Sequence, residues 1–356
     1  MSRIRIGYVG CGFMAQTVHI PNIIETEGAE LLALAELRPN LGNIIKEKHG
    51  VPRLYRSHRE LAADPDIDAV CISGPQAVQG EVARDCLEAG KPVLVEKPMA
   101  VSVRQGEAIV RAARDAGVLL MVAYMKRYDP GYVLAKEVID AWRASGEVGT
   151  VTYMRSHGFC GDWLAGGSRE FINTDEPVRY PEADVLPEWL PKAHANAYVE
   201  YLQEYTHDIN LLRWFSGAGD KVEVRAVDLD EGGIRGIVSL DLGGVRGVIE
   251  SGEIAHKGWE EHHQVYFEKG WIHAAAAPLF EQGGRVEVEV YRAGGEPETT
   301  RPAPRSRVWS YRAEMEHFVE CLREGTPCRS SGADALADVK ALEDIWRASL
   351  AARGES

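Results

Sequence analysis

A chain of 356 residues exceeds the size at which one hydrophobic core usually stops growing, so two domains are expected. It is 45% hydrophobic and 26% charged, and its net charge of -14 argues against a nucleic-acid partner or adsorption to an anionic membrane. It has no apolar run long enough to span a bilayer.

Met1-Ser2-Arg3-Ile4-Arg5 leads straight into a strand pattern, without the apolar core of a signal peptide. The cysteines (11, 71, 86, 160, 321 and 328) are scattered, with no CxxC pair, so reduced thiols and a cytoplasmic location are expected.

In chain order, the first 124 residues alternate short apolar strands with amphipathic helices. Strands are predicted at Ile4–Val9, Leu31–Ala35, Ala69–Ser73, Val93–Val95 and Val118–Tyr124. Helices are predicted from Phe13, over Pro39–Lys48 with Gly50 as C-cap, over Val78–Ala89, and over Ser102–Ala116. This alternation predicts an α/β Rossmann domain over 1–124, a doubly wound parallel sheet.

From 125 to 356 the rhythm changes to that of an α+β domain with an open, mostly antiparallel sheet. A helix over Pro130–Ser145 leads to a strand at Thr150–Ser156, then an irregular stretch containing Trp163, Tyr180 and Trp189. A helix over Ala197–Phe215 precedes strands at Val222–Val227, Gly236–Asp241, Val245–Glu250, Gln264–Glu268, Trp271–Ala275 and Val286–Tyr291. Helices over Tyr311–Glu324 and Ala333–Ala351 close the chain and are expected to pack back toward the first domain.

Gly10-x-Gly12-x-x-Ala15 follows a strand and opens a helix, the setting in which glycines let the backbone approach a pyrophosphate at a positive helix end. Glu36 ends the second strand, where a carboxylate accepts both ribose hydroxyls of NAD and repels a 2′-phosphate; Arg38 softens that preference. Cys11 lies inside the loop and is read as a small space-filling residue. Lys97 sits just past the carboxyl end of the predicted strand Val93–Val95, the edge where open α/β sheets bind ligands, and Pro98 restricts its backbone.

Ala89-Gly90-Lys91-Pro92-Val93-Leu94-Val95-Glu96-Lys97-Pro98 strongly resembles the AGKxVxxEKP signature of the Gfo/Idh/MocA family of glucose–fructose oxidoreductases and inositol dehydrogenases. The GxGxxA loop, Asp64-Pro65-Asp66-Ile67-Asp68-Ala69-Val70, Lys126-Arg127-Tyr128-Asp129-Pro130 and Ser331-Gly332-Ala333-Asp334-Ala335 match in order. The resemblance implies NAD as cofactor, held by Gly10, Gly12, Phe13, Met14, Ala15, Glu36, Arg38, Pro75, Glu96 and Lys97. Where relatives often read TPxxxH, this chain has Gly74-Pro75-Gln76-Ala77-Val78-Gln79, which leaves the role of Gln79 open.

Aligned on Arg213-Trp214, the family's second-domain helix (DxGxHxxDxxRW) puts its histidine on His207. Gln203 and Asn210 replace the flanking aspartates, so a face of Gln, His and Asn is expected, with Asp208 turned away. The resemblance implies catalysis by Lys97 and His207 and substrate contacts from Lys97, Arg127, His157, Trp163, Gln203, His207 and Asn210. His256, His262 and His263 are read as surface residues, and no metal is expected.

The function so implied is hydride transfer between NAD and a secondary hydroxyl or keto carbon of a sugar or cyclitol. The alternatives are a glycoside-cleaving relative that uses bound NAD transiently and a non-catalytic dinucleotide sensor. The partners expected are a small sugar or cyclitol and, by family habit, a second copy in a homodimer or homotetramer.

Overall fold

The computed structural model describes residues 3–168, 170–178, 180, 185–253, 259–294 and 296–355. The chain divides into two units. The first contains residues 1–124, 168–187 and 311–339, and the second contains 125–167, 188–310 and 340–356. The division is thus interleaved rather than a single cut after Tyr124: part of the irregular stretch and the first C-terminal helix group with the parallel sheet.

The first unit is a six-stranded parallel sheet: β1 (Ile4–Val9), β2 (Ala29–Ala35), β3 (Arg53–Tyr55), β4 (Ala69–Ile72), β5 (Val93–Val95) and β6 (Leu120–Val122), in the order β3-β2-β1-β4-β5-β6. β4, β5 and β6 are buried along their whole length, which is why they read as continuous apolar runs. A helical run from Phe13 passes through a π turn at Ala15–His19 into α1 (Ile20–Glu25). Pro21, which has no N–H to give to the preceding turn, lies where the π turn gives way to regular helix. Next come α2 (Pro39–His49), α3 (His58–Ala63), α4 (Gln76–Glu88) and α5 (Val103–Ala116).

Ser57 and Ser102 cap α3 and α5 by accepting from the backbone N–H of Glu60 and Gln105, and Gly50 and Gly117 end α2 and α5 in the left-handed conformation.

The second unit is an eight-stranded sheet: β7 (Val151–Cys160), β8 (Val222–Leu229), β9 (Gly236–Leu242), β10 (Val245–Glu253), β11 (Trp259–Phe267), β12 (Gly270–Ala276), β13 (Glu287–Arg292) and β14 (Glu298–Thr300). The order is β14-β13-β12-β11-β7-β10-β9-β8, and every pairing is antiparallel except β10 with β7. Two helices, α6 (Pro130–Ser145) and α7 (Ala195–Ser216), pack on one face of this sheet.

Along β7 and β11, residues facing those helices are buried (Met154, Ser156, Glu261, His263, Val265) and their neighbours are half-buried or exposed. The chain closes with α8 (Ser310–Glu324) and α9 (Gly332–Arg353). Among the described residues no helix is long and apolar enough to cross a membrane.

Candidate active site

At the end of β1, Gly10 turns the chain with φ +91°, and a Cβ there would lie 2.2 Å from the Ser73 carbonyl oxygen, so only glycine fits. Gly12 faces open space, the opening a pyrophosphate needs to reach the backbone. Helical bonding starts at once (Gln16 N to Gly12 O, 3.1 Å), and Ala15 is fully buried beneath it. Phe13 and Met14 are half-buried on the first turn. Burial pushes the Cys11 thiol up to about 12, so it stays protonated and inert, as its space-filling reading requires.

Glu36 is buried beside this loop. Its Oε2 accepts from the Cys11 N–H (2.7 Å) and from Arg38 Nη2 (3.2 Å); its Oε1 accepts from the Arg38 N–H (3.0 Å) and Nε (2.9 Å). Arg38 is therefore clamped onto Glu36, and this hydrogen bonding raises the guanidinium pKa. Both carboxylate oxygens are saturated, so a ribose hydroxyl reaching Glu36 displaces Arg38 contacts. The residues fit a dinucleotide: an open glycine approach, a helix N-terminus and a buried carboxylate after β2.

No motif in the sequence signals what covers this cradle. Residues 170–178 lie along it within the same unit. Phe171 packs edge-on to Phe13 at 5.5 Å, and Ile172 exchanges two bonds with the Gln16 side chain (2.8 and 2.9 Å). Asn173 accepts from Arg38 (2.9 Å), and the Glu176 carboxylate accepts from the Asn40 and Leu41 N–H groups at the start of α2 (3.0 and 3.1 Å).

Lys97 follows β5 at the carboxyl edge of the sheet, half-buried, with a cis bond to Pro98. Gln79, only 2% exposed on α4, donates to the carbonyls of Glu96 (2.7 Å) and Pro98 (2.8 Å), gripping the backbone on both sides of Lys97. Glu96, expected at the cofactor, instead points inward: its Oε1 lies 2.8 Å from His19 Nε2, and its Oε2 accepts from the Lys97 N–H (3.0 Å). Pro75 is exposed and caps α4.

In the second unit, His207 is 4% exposed on α7. Asn210, one turn further, accepts from Arg127 Nε through its side chain (2.8 Å) and from Arg127 Nη2 through its carbonyl (3.3 Å), and Arg127 stacks over Trp214. Arg127 and Asn210 thus come together as one buried pair. Gln203 is exposed, so the expected three-residue face is buried only at His207 and Asn210. Trp163 is 52% exposed and packs edge-on to Phe280.

His157 lies on the sheet face away from α7, bonded to Glu250, whereas its neighbour Ser156 faces the helix and donates to Asp208. The structure therefore does not bring His157 together with His207.

Asp208, read from sequence as turned away, is the centre of a buried polar cluster. Lys126, Glu261, Asp208 and His263 are all under 9% exposed, and Lys126 is ion-paired with Glu261. Burial alone would lower the Lys126 pKa, but the Glu261 and Asp208 carboxylates outweigh it and raise it. Burial, then the Glu261 charge, pushes Asp208 up to about 7 against the opposing pull of Lys126 and Ser156.

His263 Nε2 is 4.0 Å from Asp208, its Nδ1 is 2.8 Å from the Tyr132 hydroxyl, and burial holds the ring neutral. The surface reading of His263 is corrected: β11 is an inner strand whose odd-numbered residues face the helices. His256 lies outside the described residues.

Residues 4–124 match the family model described as oxidoreductase family, NAD-binding Rossmann fold. The chain is 31% identical over 215 residues to an inositol 2-dehydrogenase of Rubrobacter xylanophilus, covering 60% of this chain and 52% of that one. It is 29% identical over 137 residues to a myo-inositol 2-dehydrogenase of Thermotoga maritima (38% and 41%). The matches thus span about half or less of those relatives.

Across nearly its full length (99% and 98%), the chain has the fold of an aldose–aldose oxidoreductase from Caulobacter crescentus, with a TM-score of 0.73 at 22% identity. Residues 4–124 thus carry the NAD-binding Rossmann domain of the Gfo/Idh/MocA oxidoreductase family.

Proposed function

We propose that the chain is an NAD(H)-dependent oxidoreductase acting on a secondary hydroxyl or keto carbon of a cyclitol or sugar. The observation that carries this reading is the pairing of an open dinucleotide cradle with Lys97 on the same carboxyl edge of the parallel sheet. The inositol dehydrogenases among the relatives support the substrate class.

Bound nicotinamide supplies the hydride acceptor. When the carbinol becomes a ketone, one hydride leaves its carbon and one proton leaves its oxygen, so a proton acceptor is required. Lys97, its backbone fixed by Gln79, is the proposed donor and orienting group at the carbinol oxygen. His207 is the proposed acceptor, an imidazole being suited to proton transfer near neutral pH. In this reading the Arg127–Asn210 pair lines the substrate side, in place of the carboxylate common in relatives.

The test is a screen of inositols and aldoses with NAD, followed by nicotinamide absorbance. Turnover that Lys97→Ala abolishes and His207→Ala lowers by about two orders of magnitude supports the reading. NADH binding without turnover on any polyol would favour the sensor instead, and wild-type turnover in His207→Ala would remove His207 from the chemistry.

A further inference from the structure

The open face of the second unit's sheet carries a group of side chains that the redox reading does not use. His157 on β7 and His262 on β11 are directly paired across the strands, and their rings stack at 4.5 Å with an interplanar angle of 15°. Glu260 is two residues before His262, on the same face, with a carboxylate oxygen 3.8 Å from His157 Nε2. One ligand atom from each of the three lies within 4.8 Å of the others.

The support behind these residues is what a metal-ligating histidine needs. His157 Nδ1 lies 2.6 Å from Glu250 Oε2, which fixes the ring and leaves Nε2 turned toward Glu260 with its lone pair free. Glu250 is itself held by Arg155, whose Nη2 donates to Oε2 at 2.6 Å and also lies 3.3 Å from His157 Nδ1. His262 is half-buried on the strand face it shares with His157. His273 stands edge-on to it at 5.0 Å, and its Nε2 is buried with no hydrogen-bond partner among the described residues. Two carboxylates against one guanidinium leave the patch net negative.

We propose that His157, His262 and Glu260 form a site for a divalent transition-metal ion of the zinc class. Two imidazoles and a carboxylate are a borderline-soft donor set that suits zinc better than magnesium or calcium. Tetrahedral bonds of about 2.0–2.2 Å place ligand atoms roughly 3.3 Å apart, so a small closure completes the set. Glu260, whose side chain is 63% exposed, is free to supply that movement. The fourth position is left to water. Neither the cofactor cradle nor the Lys126–Glu261 pair takes part; in the latter cluster an ammonium already sits where a cation would.

The experiment is a calorimetric titration of chelator-treated full-length protein with Zn²⁺ alone, near neutral pH. One zinc per chain is expected. His262→Ala should abolish binding, Glu260→Gln should weaken it at least about tenfold, and Glu250→Gln should weaken it about 10- to 100-fold through the lost support of His157. Glu260→Gln changes an exposed side chain and keeps the test decisive if the imidazole variant fails to fold. No binding by the wild-type chain, or wild-type affinity in Glu260→Gln, would overturn the assignment.

Discussion

Gln79 grips the chain on both sides of Lys97: its single amide nitrogen donates to the carbonyl before the lysine, on Glu96 (2.7 Å), and to the one after it, on Pro98 (2.8 Å). Gln79 is thus placed to hold the Lys97 backbone, and a two-donor amide is suited to serve two carbonyls at once. Gln79→Leu leaves both carbonyls unsatisfied, at about 1–3 kcal/mol of stability. It should lower kcat by about 10- to 100-fold through misplacement of Lys97, with NADH affinity held within about threefold. Steady-state kinetics beside an NADH titration separates the two; an equal loss in both would assign Gln79 to cofactor binding.

The buried Asp208 carboxyl makes stability pH-dependent. Its pKa rises on folding from the ordinary 3.8 to about 7, so the folded chain holds a proton that the unfolded chain has released. Stability contributed here is present at low pH and is lost as pH rises through that window. Asp208→Asn removes the titration. Denaturant unfolding at several pH values should show the wild type losing on the order of a few kcal/mol relative to the variant between about pH 4 and 7. Parallel pH profiles would contradict this.

The Lys126–Glu261 pair supports a narrower prediction. Lys126→Met strands a buried carboxylate and should cost about 3–5 kcal/mol, whereas Lys126→Met combined with Glu261→Gln should recover much of the loss. Urea midpoints of the two variants and the wild type check the order.

Glu176 caps α2 from a distant segment, bonding the N–H groups of Asn40 and Leu41. Glu176→Ala should speed hydrogen exchange severalfold at residues 38–42 and 170–178 together, because the two segments share these contacts. A change confined to one of them would show that they are not coupled.

The Rossmann unit was legible because its signals are local. Apolar runs mark strands buried on both faces, and Ser102, Gly50 and Gly117 mark helix ends by rules that hold within a few residues. Short β3, with three half-buried residues, carries too little pattern to be seen. In the candidate site, the positions that a motif spans, Gly10–Ala15, Glu36 and Lys97, could be picked out from the sequence.

It was not legible where a polar side chain finds its partner far along the chain. Gln79 with Pro98, Arg38 with Asn173 and Asp208 with Ser156 are decided by packing, not by spacing. Alternation along β11 says that His262 and His263 face opposite ways; only α6 and α7 decide which of them is buried.

Whether the cradle binds NAD(H) through Glu36 is decided by titrating the purified protein with NADH and NADPH and following nicotinamide fluorescence, in wild type and in Glu36→Ala. A clear wild-type preference for NADH is expected, reduced by about tenfold or more when Glu36→Ala releases Arg38 toward a 2′-phosphate. Equal or tighter NADPH binding by the wild type, or a preference unmoved in Glu36→Ala, would contradict it.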